Sequence, residues 1–197
     1  MTYQSSSPKV YKPKRHIIID CETLSTKRNA SVVDIAAIAI DFNGRPSQEF
    51  QTFIRRGEQV EAGHLFHTDE ETIDWHNRHD PEFLPLCENN GVSFQEAMAS
   101  LNDWILAQEL GVELHFWSQG KDFDFPILEN MLDAAGLKAP WKYSRLHCLR
   151  DLVFLNPGSR LKGSGPVAHK ALLDARHEAE QLIHTTKSSS WLQRLFK

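Results

Sequence analysis

The sequence has little cysteine and no long hydrophobic run. Its 197 residues include three cysteines, Cys21, Cys87 and Cys148, which are far apart in the chain and odd in number. This pattern excludes a fold built on disulfide bonds and favours a reducing compartment, so we expect a cytoplasmic location. No stretch approaches the roughly 20 apolar residues that a membrane helix needs, and the first residues lack the pattern of a secretory signal. We therefore expect no membrane association.

The sequence also lacks an excess of basic charge. The formal net charge is −4, although both ends of the chain are basic: residues 1–16 carry +4 and residues 187–197 carry +3, which leaves −11 for the residues between them. A protein that binds nucleic acid through general basicity has the opposite balance. An acidic centre is typical either of an ordinary solvated surface or of carboxylates that collect divalent cations.

Length and composition predict one compact domain. Hydrophobic residues make up 41% of the chain, enough for a packed core, which excludes a disordered or collagen-like chain. We interpret residues 1–15 as a flexible basic leader, residues 16–186 as the folded domain and residues 187–197 as a C-terminal tail.

Hydrophobic patterns predict an α/β fold with a five-stranded sheet. The predicted strands cover residues 16–20, 32–41, 48–55, 112–118 and 143–149. The dipeptide Asn43-Gly44 favours a tight hairpin turn, so the second and third strands should be antiparallel. The later strands are separated by helices and should pair in parallel. We expect a mixed sheet, three antiparallel strands and then parallel strands, flanked by helices.

Capping patterns and periodicity predict four helices. Residues 68–71 and 93–96 have the spacing of capping boxes, which satisfy the free N–H groups of a first helical turn. A third helix is expected from about residue 126 to 136, with a proline near its first turn and a glycine past its end. The last helix should run from about residue 170 to 184. In open sheets of this kind, active sites lie at the carboxyl ends of the parallel strands.

Two carboxylates end the first predicted strand. Asp20 and Glu22 are two residues apart, so their side chains project from the same face of the strand. Carboxylates held this close repel each other unless a cation lies between them, and Mg²⁺ and Mn²⁺ prefer such hard oxygen ligands. Alone, a D-x-E pattern is more often a solvated turn, so its interpretation depends on the other candidates.

The remaining candidates surround the last two predicted helices. Asp124 precedes the helix near Pro126, where capping is the ordinary role of an aspartate. His169 and Asp174 would diverge by about 140° on one continuous helix. We therefore expect His169 on the turn that enters the last helix and Asp174 inside it. Residues 162–166, rich in glycine and serine, should be mobile and let the imidazole move when a substrate arrives.

The order of these residues resembles the DEDD superfamily of 3′–5′ exonucleases, in the subtype whose fifth residue is a histidine. The segment IDCETL resembles its first motif, FDFPIL its second, and VAH followed by Asp174 its third. FDFPIL, VAH and the segment TIDW at residues 72–75 are similar to phage-encoded DexA-type exonucleases. The resemblance covers about residues 16–184 and implies an RNase H-like fold.

The resemblance implies hydrolysis assisted by two metal ions. Asp20, Glu22, Asp124 and Asp174 would hold two Mg²⁺ or Mn²⁺ ions on either side of the scissile phosphate. His169 would be the general base that accepts a proton from the attacking water. The products would be 5′-mononucleotides released from a 3′ end.

The resemblance also implies substrate contacts. Thr23 and Leu24 match the positions that hold the terminal nucleotide. Trp75 either stacks the penultimate base or packs in the core, and the sequence leaves both roles open. The expected partner is the 3′ end of single-stranded nucleic acid. DNA is favoured through the phage resemblance, an oligoribonuclease-like exoribonuclease is the alternative, and a non-catalytic binding module is a more remote one.

Three further features are ambiguous in the sequence. The apolar segment WLQRLF in the C-terminal tail either packs on the domain, which we favour, or binds a replication protein. Glu178, one helical turn after Asp174, is either a replacement ligand or, in our interpretation, a solvated charge. Two H-x2-H pairs suggest zinc, but no cysteine lies near them, so we do not favour a zinc site. These histidines are His64, His67, His76 and His79.

Overall fold

The computed structural model describes residues 12–41, 43–61, 65–161, 169–188, 190 and 192–193. Its central element is a five-stranded sheet with the order β3-β2-β1-β4-β5. The strands are β1 (Lys14–Thr23), β2 (Val32–Ile40), β3 (Pro46–Phe53), β4 (Glu113–Ser118) and β5 (Leu146–Cys148). β2 is antiparallel to β1 and β3, whereas β4 is parallel to β1 and β5. The predicted mixed sheet is confirmed.

Helices flank this sheet. In the described ranges they are α1 (Arg56–Glu61), α2 (Glu70–His79), α3 (Phe83–Asn90), α4 (Phe94–Gln108), α5 (Lys121–Ala134), α6 (Leu149–Leu155) and α7 (Ala171–Lys187). The sequence analysis did not predict α1, α3 and α6, because elements this short show too few turns for a clear helical period. None of the helices described here combines the length and hydrophobicity needed to cross a bilayer.

The sheet separates two apolar layers. Ile17 and Ile19 of β1 pack into the layer that contains α4 and α5, while Ile18 packs into the layer that contains α6 and α7. Every residue of β2 is buried, as expected for a strand covered on both faces. α7 packs across β1 and β2, and its first residue, Ala171, donates a hydrogen bond to Asp34 of β2, which pairs with Glu22 near the carboxyl end of β1.

Two helices begin at other residues than expected. α2 is capped by Asp69, which accepts a hydrogen bond from the N–H of Glu71 at 3.0 Å, one residue after the predicted Thr68 cap. α5 begins at Lys121, so Asp124 lies in its first turn and Pro126 inside the helix. A proline there costs only one backbone hydrogen bond close to the N-terminus, where several N–H groups lack helical partners anyway.

The predicted hairpin turn and the cap of α4 are present. Gly44 has a φ of 69°, the left-handed conformation that favours glycine. The Asp41 carboxylate accepts hydrogen bonds from the N–H groups of Asn43 and Arg45 at 2.8 and 2.9 Å. Ser93 accepts a hydrogen bond from the N–H of Glu96 at 3.2 Å, which completes the predicted cap of α4.

The structure describes part of the predicted leader, residues 1–15, and part of the predicted C-terminal tail, residues 187–197. β1 begins at Lys14, so the end of the segment predicted as a leader is strand, and residues 1–11 lie outside the described residues. In the predicted tail, Leu192 is buried in the layer that contains α6 and α7. This contact favours packing of the tail on the domain.

Gly91 provides a test of the packing between α3 and the end of β3. A Cβ atom at Gly91 would lie 2.5 Å from the carbonyl oxygen of Cys87 and 2.7 Å from the backbone nitrogen of Arg55. Backbone atoms cannot rotate away, so we expect Gly91→Ala to lower the free energy of unfolding by about 1–3 kcal/mol in urea denaturation.

Gly158→Ala is the matched control for this substitution. No atom lies within 4 Å of a Cβ at Gly158, so its free energy of unfolding should change by less than about 0.5 kcal/mol. Equal losses in the two variants would contradict the close approach at Gly91.

Candidate active site

All five residues proposed as catalytic line one cavity of about 600 Å³ at the carboxyl end of β1. They are Asp20, Glu22, Asp124, His169 and Asp174. Asp20 and Glu22 come from the end of β1, Asp124 from the first turn of α5, and Asp174 from the first turn of α7. The fold therefore brings together residues that are up to 154 positions apart in the sequence.

His169 occupies the turn that enters α7, as the spacing from Asp174 predicts. Its φ is 37°, a left-handed conformation that is unusual for a residue with a side chain and that often marks functional sites. One ring nitrogen of His169 and one carboxylate oxygen each of Glu22 and Asp174 all lie within 4.8 Å of one another. The histidine thus sits beside two of the candidate metal ligands.

Asp34 attaches the start of α7 to the sheet. This fully buried side chain accepts hydrogen bonds from Gln51 Nε2 at 3.1 and 3.2 Å and from the backbone N–H of Ala171 at 3.1 Å. Ala171 is the first residue of α7, so Asp34 fixes the helix that carries Asp174. Asp34 was not among the residues predicted from the sequence, although an aspartate inside the apolar strand VVDIAAIAI is a sign of a buried polar role.

Two further contacts orient the residues around the cavity. The Cys21 thiol, on the opposite face of β1 from Asp20, donates to Asp124 Oδ1 at 3.5 Å. His76 Nε2 lies 3.0 Å from the carbonyl oxygen of Thr23 and supports the backbone just after the acidic pair. The Trp75 ring meets the His169 ring edge to face, with the ring centroids 4.3 Å apart. Trp75 is therefore a wall of the site next to the histidine.

A second cavity of about 540 Å³ adjoins the first. Glu22, Phe123 and His169 line both cavities, and Thr23 and Trp75 line the second. Leu24, which we expected to hold the terminal nucleotide, has a fully buried side chain packed with Phe83. That expectation is wrong for the Leu24 side chain, because it offers no surface to a base. Phe123, 37% exposed, is the apolar surface that the sequence analysis missed.

Two cationic side chains, Arg150 and Arg160, line the cavity, but neither forms an ion pair with its carboxylates. In the described part of the chain, no Lys or Arg forms an ion pair with any of the four predicted metal ligands or with Glu178. Glu178 is buried and lines the cavity, so our interpretation of it as a solvated charge is wrong. Closely spaced carboxylates without an ion-pair partner are costly, and divalent cations are the ions that such oxygen donors bind.

Burial makes this set of carboxylates unusually hard to ionise. It raises the pKa of Glu22 to about 8, assisted by the charge of Asp174. It also raises the pKa values of Asp124 and Asp174 to about 6. The pKa of Asp20 is raised well above its ordinary value by burial and by the charges of its acidic neighbours. A cation would reverse these shifts, because it stabilises the charged forms.

The histidines that suggested zinc have other partners. His67 Nδ1 lies 2.8 Å from Ser25 Oγ, and His79 Nδ1 lies 2.8 Å from the carbonyl oxygen of Trp75. His76 supports Thr23, and His64 lies outside the described residues. Over the described ranges these histidines form no group with the spacing of a metal site.

Most of this chain matches one known protein family. Residues 15–185 match the family described as the 3′–5′ exoribonuclease Rv2179c-like domain. The chain belongs to this family. The exodeoxyribonuclease of Enterobacteria phage T4 is 32% identical to it over 126 residues, which are 58% of this chain and 54% of the phage protein. The chain thus spans about half the length of this relative.

Solved structures of exonuclease I share the fold. Exonuclease I from Methylocaldum szegediense has a TM-score of 0.66 at 14% identity, with 91% of this chain and 42% of that chain covered. E. coli exonuclease I in complex with a dA16 oligonucleotide has a TM-score of 0.69 at 11% identity, and the match covers 92% of this chain and 42% of that chain. The family match confirms the predicted 3′–5′ exonuclease relationship, and these structures confirm the predicted RNase H-like fold.

The raised pKa of Glu22 predicts how stability depends on pH in metal-free protein. Between its ordinary pKa near 4.3 and its folded-state value of about 8, the native state keeps a proton that the unfolded chain has lost. This stabilisation disappears as the pH rises through the folded-state value. In chelator, the free energy of unfolding should fall from about pH 7 to 8.5, by up to about 1.4 kcal/mol per pH unit for each retained proton.

Urea denaturation at a series of pH values, with EDTA and with saturating Mg²⁺ or Mn²⁺, measures this effect. The histidines whose pKa values burial lowers, such as His147 at about 4, titrate below this range. The decline should disappear with the cation, because the carboxylates are then charged throughout. A metal-free stability that is constant or rises over this range would contradict the buried acidic cluster.

Proposed function

We propose that the protein is a metal-dependent 3′–5′ exonuclease that hydrolyses single-stranded nucleic acid to 5′-mononucleotides. The observation that carries this proposal is the convergence of His169 and four carboxylates, none in an ion pair with Lys or Arg of the described residues, on one cavity of an exonuclease-family domain. The adjoining cavity, with its exposed aromatic surface, supports a binding site for the terminal nucleotide.

The four carboxylates are the proposed ligands of two Mg²⁺ or Mn²⁺ ions. They supply hard oxygen donors from three separate elements, and they have the excess negative charge that such ions neutralise. When bound, divalent cations at such a site activate water and neutralise charge on the phosphate and the leaving 3′-oxygen. The proposed ligands are Asp20, Glu22, Asp124 and Asp174.

His169 is the proposed general base. Burial, together with the nearby His79, lowers the pKa of His169, so the imidazole is neutral at physiological pH and can accept a proton. Its position beside Glu22 and Asp174 puts a ring nitrogen near two of the proposed metal ligands, where it could accept a proton from a water activated there. Trp75 packs against the ring and limits the orientations available to it.

The second cavity is the proposed site of the 3′-terminal nucleotide. Phe123 offers an exposed aromatic ring and Trp75 a partly buried one, and stacking on such rings needs no particular base. Thr23 lines the same cavity just after the acidic pair. A site of this kind favours an exonuclease without sequence specificity.

The comparisons support two candidate substrates. The 32% identical relative is named an exodeoxyribonuclease, whereas the matching family is named for an exoribonuclease. We propose DNA as the favoured substrate, because this relative is a phage protein named for DNA and the sequence motifs resemble phage-encoded exonucleases. RNA is the second candidate, favoured by a family match that covers nearly the whole described domain.

Substitutions distinguish the proposed metal ligands from the proposed base. Asp20→Asn should abolish release of labelled 3′-nucleotides, because it removes a ligand charge. His169→Ala should slow the reaction by about 10²–10⁴-fold and leave the stabilisation by Mn²⁺ largely intact. His184→Ala, an exposed histidine on α7, is the control and should retain wild-type activity.

Strands labelled at either end, with Mg²⁺, with Mn²⁺ and with EDTA, provide the assay. Activity that persists in EDTA, or degradation from the 5′ end, would contradict the assignment. Loss of Mn²⁺ binding in the His169 variant would make this residue a ligand and not a base.

Matched oligonucleotides test the choice between the two substrates. With DNA and RNA of the same sequence and length, we expect faster release of nucleotides from the DNA strand. The ratio of kcat/KM values measures this preference. Faster hydrolysis of RNA would instead support the exoribonuclease.

A further inference from the structure

Glu178 is a fifth carboxylate beside the four predicted metal ligands. It lies on α7 four residues after Asp174, and residues with this spacing are neighbours on one face of a helix. Its side chain is only 5% exposed, and it lines the same cavity as Asp20, Asp124 and Asp174. The cavity thus contains one more acidic group than the DEDD pattern supplies.

One oxygen of this carboxylate has no partner. Glu178 Oε2 is buried and makes no hydrogen bond, whereas the backbone N–H of Gln119 donates a hydrogen bond to the carboxylate. In the described ranges, no Lys or Arg forms an ion pair with Glu178, although Arg150 lines the same cavity and its charge favours the ionised carboxylate. A buried carboxylate oxygen without a donor is unfavourable, so this oxygen is suited to a ligand that the protein itself does not supply.

The surroundings of Glu178 indicate a positive ligand. Asp20 and Asp124 line the same cavity as Glu178, and the charges of Glu178 and Asp124 both raise the pKa of Asp20. These three carboxylates are therefore close enough to repel one another strongly. A purely structural buried residue would avoid such neighbours, whereas a cation ligand needs them.

We propose that Glu178 is a ligand of the divalent-cation site, on the side formed by Asp20 and Asp124. This inference rests on the proposed function, since both require a bound divalent cation. Glu22 and Asp174, with His169, form the other side of the site. An additional carboxylate supplies one more negative oxygen ligand and so raises the affinity for Mn²⁺ or Mg²⁺ before the nucleic acid arrives.

Mn²⁺ binding to the metal-free full chain tests this role without depending on activity. Glu178→Gln keeps the size of the side chain and an oxygen that accepts the hydrogen bond from Gln119, but removes the charge. Titration calorimetry should show Mn²⁺ affinity reduced about tenfold or more, or one bound ion lost. Glu180→Gln, an exposed position on the same helix, is the control and should bind Mn²⁺ within about twofold of wild type.

Thermal unfolding in EDTA provides a second measurement. Removing an unpaired buried charge should raise the melting temperature of metal-free Glu178→Gln above that of wild type, and the increase on adding Mn²⁺ should become smaller. If Glu178→Gln is unfolded at the assay temperature, Glu178→Asp carries the same test, because it keeps the charge but shortens the reach of the carboxylate.

The outcomes separate this inference from the proposed function. Wild-type Mn²⁺ affinity in Glu178→Gln would overturn the ligand role, even if the enzyme is an exonuclease. Reduced Mn²⁺ affinity in this variant would support the ligand role, even if wild type released no nucleotides and the proposed function failed. A wild-type protein that binds no Mn²⁺ would overturn both.

Discussion

Repulsion among closely spaced carboxylates, buried or half-buried, is the interaction on which the rest of the structure depends. β1 ends in Asp20 and Glu22, and the packing of α5 and α7 against the sheet adds Asp124 and Asp174 to the same cavity. In the described part of the chain, no Lys or Arg forms an ion pair with them. Apolar packing on both faces of the sheet must supply the free energy that holds these groups together. The result is a site that is unfavourable when empty and therefore favourable for cations.

The scaffold limits how this repulsion is relieved. Asp34 fixes the first residue of α7, so the helix cannot withdraw Asp174 from the cavity without breaking buried hydrogen bonds. His76 similarly fixes the backbone after Glu22. His169, which has an unusual positive φ, lies just before the start of α7 that Asp34 holds in place. Tertiary contacts thus hold Asp174, the backbone after Glu22 and the turn of His169 in positions that an isolated peptide would not keep.

The sequence predicts the parts of this site that depend on local periodicity. The two-residue spacing of Asp20 and Glu22 gives them one face of β1, and the five-residue spacing of His169 and Asp174 excludes a single helix for both. The order of strands and helices predicts the mixed sheet. The roles assigned to these residues came from the resemblance to DEDD exonucleases, and they stay predictions until metal and substrate binding are measured.

The features that were not predicted from the sequence depend on tertiary packing. Leu24 is apolar and follows the acidic pair, but only the position of α3 shows that its side chain is buried against Phe83. Glu178 looks like a surface charge until α7 is packed on the sheet. The start of α5 at Lys121 is hidden because Pro126 is a stronger helix-start pattern than Gly120.

Anomalous diffraction from crystals grown with Mn²⁺ tests the central claim most directly. The account predicts Mn²⁺ peaks at the carboxyl end of β1, about 2.0–2.3 Å from carboxylate oxygens of Asp20, Glu22, Asp124 and Asp174. Mn²⁺ bound only elsewhere on the protein, with the cavity free of anomalous density at saturating Mn²⁺, would contradict it.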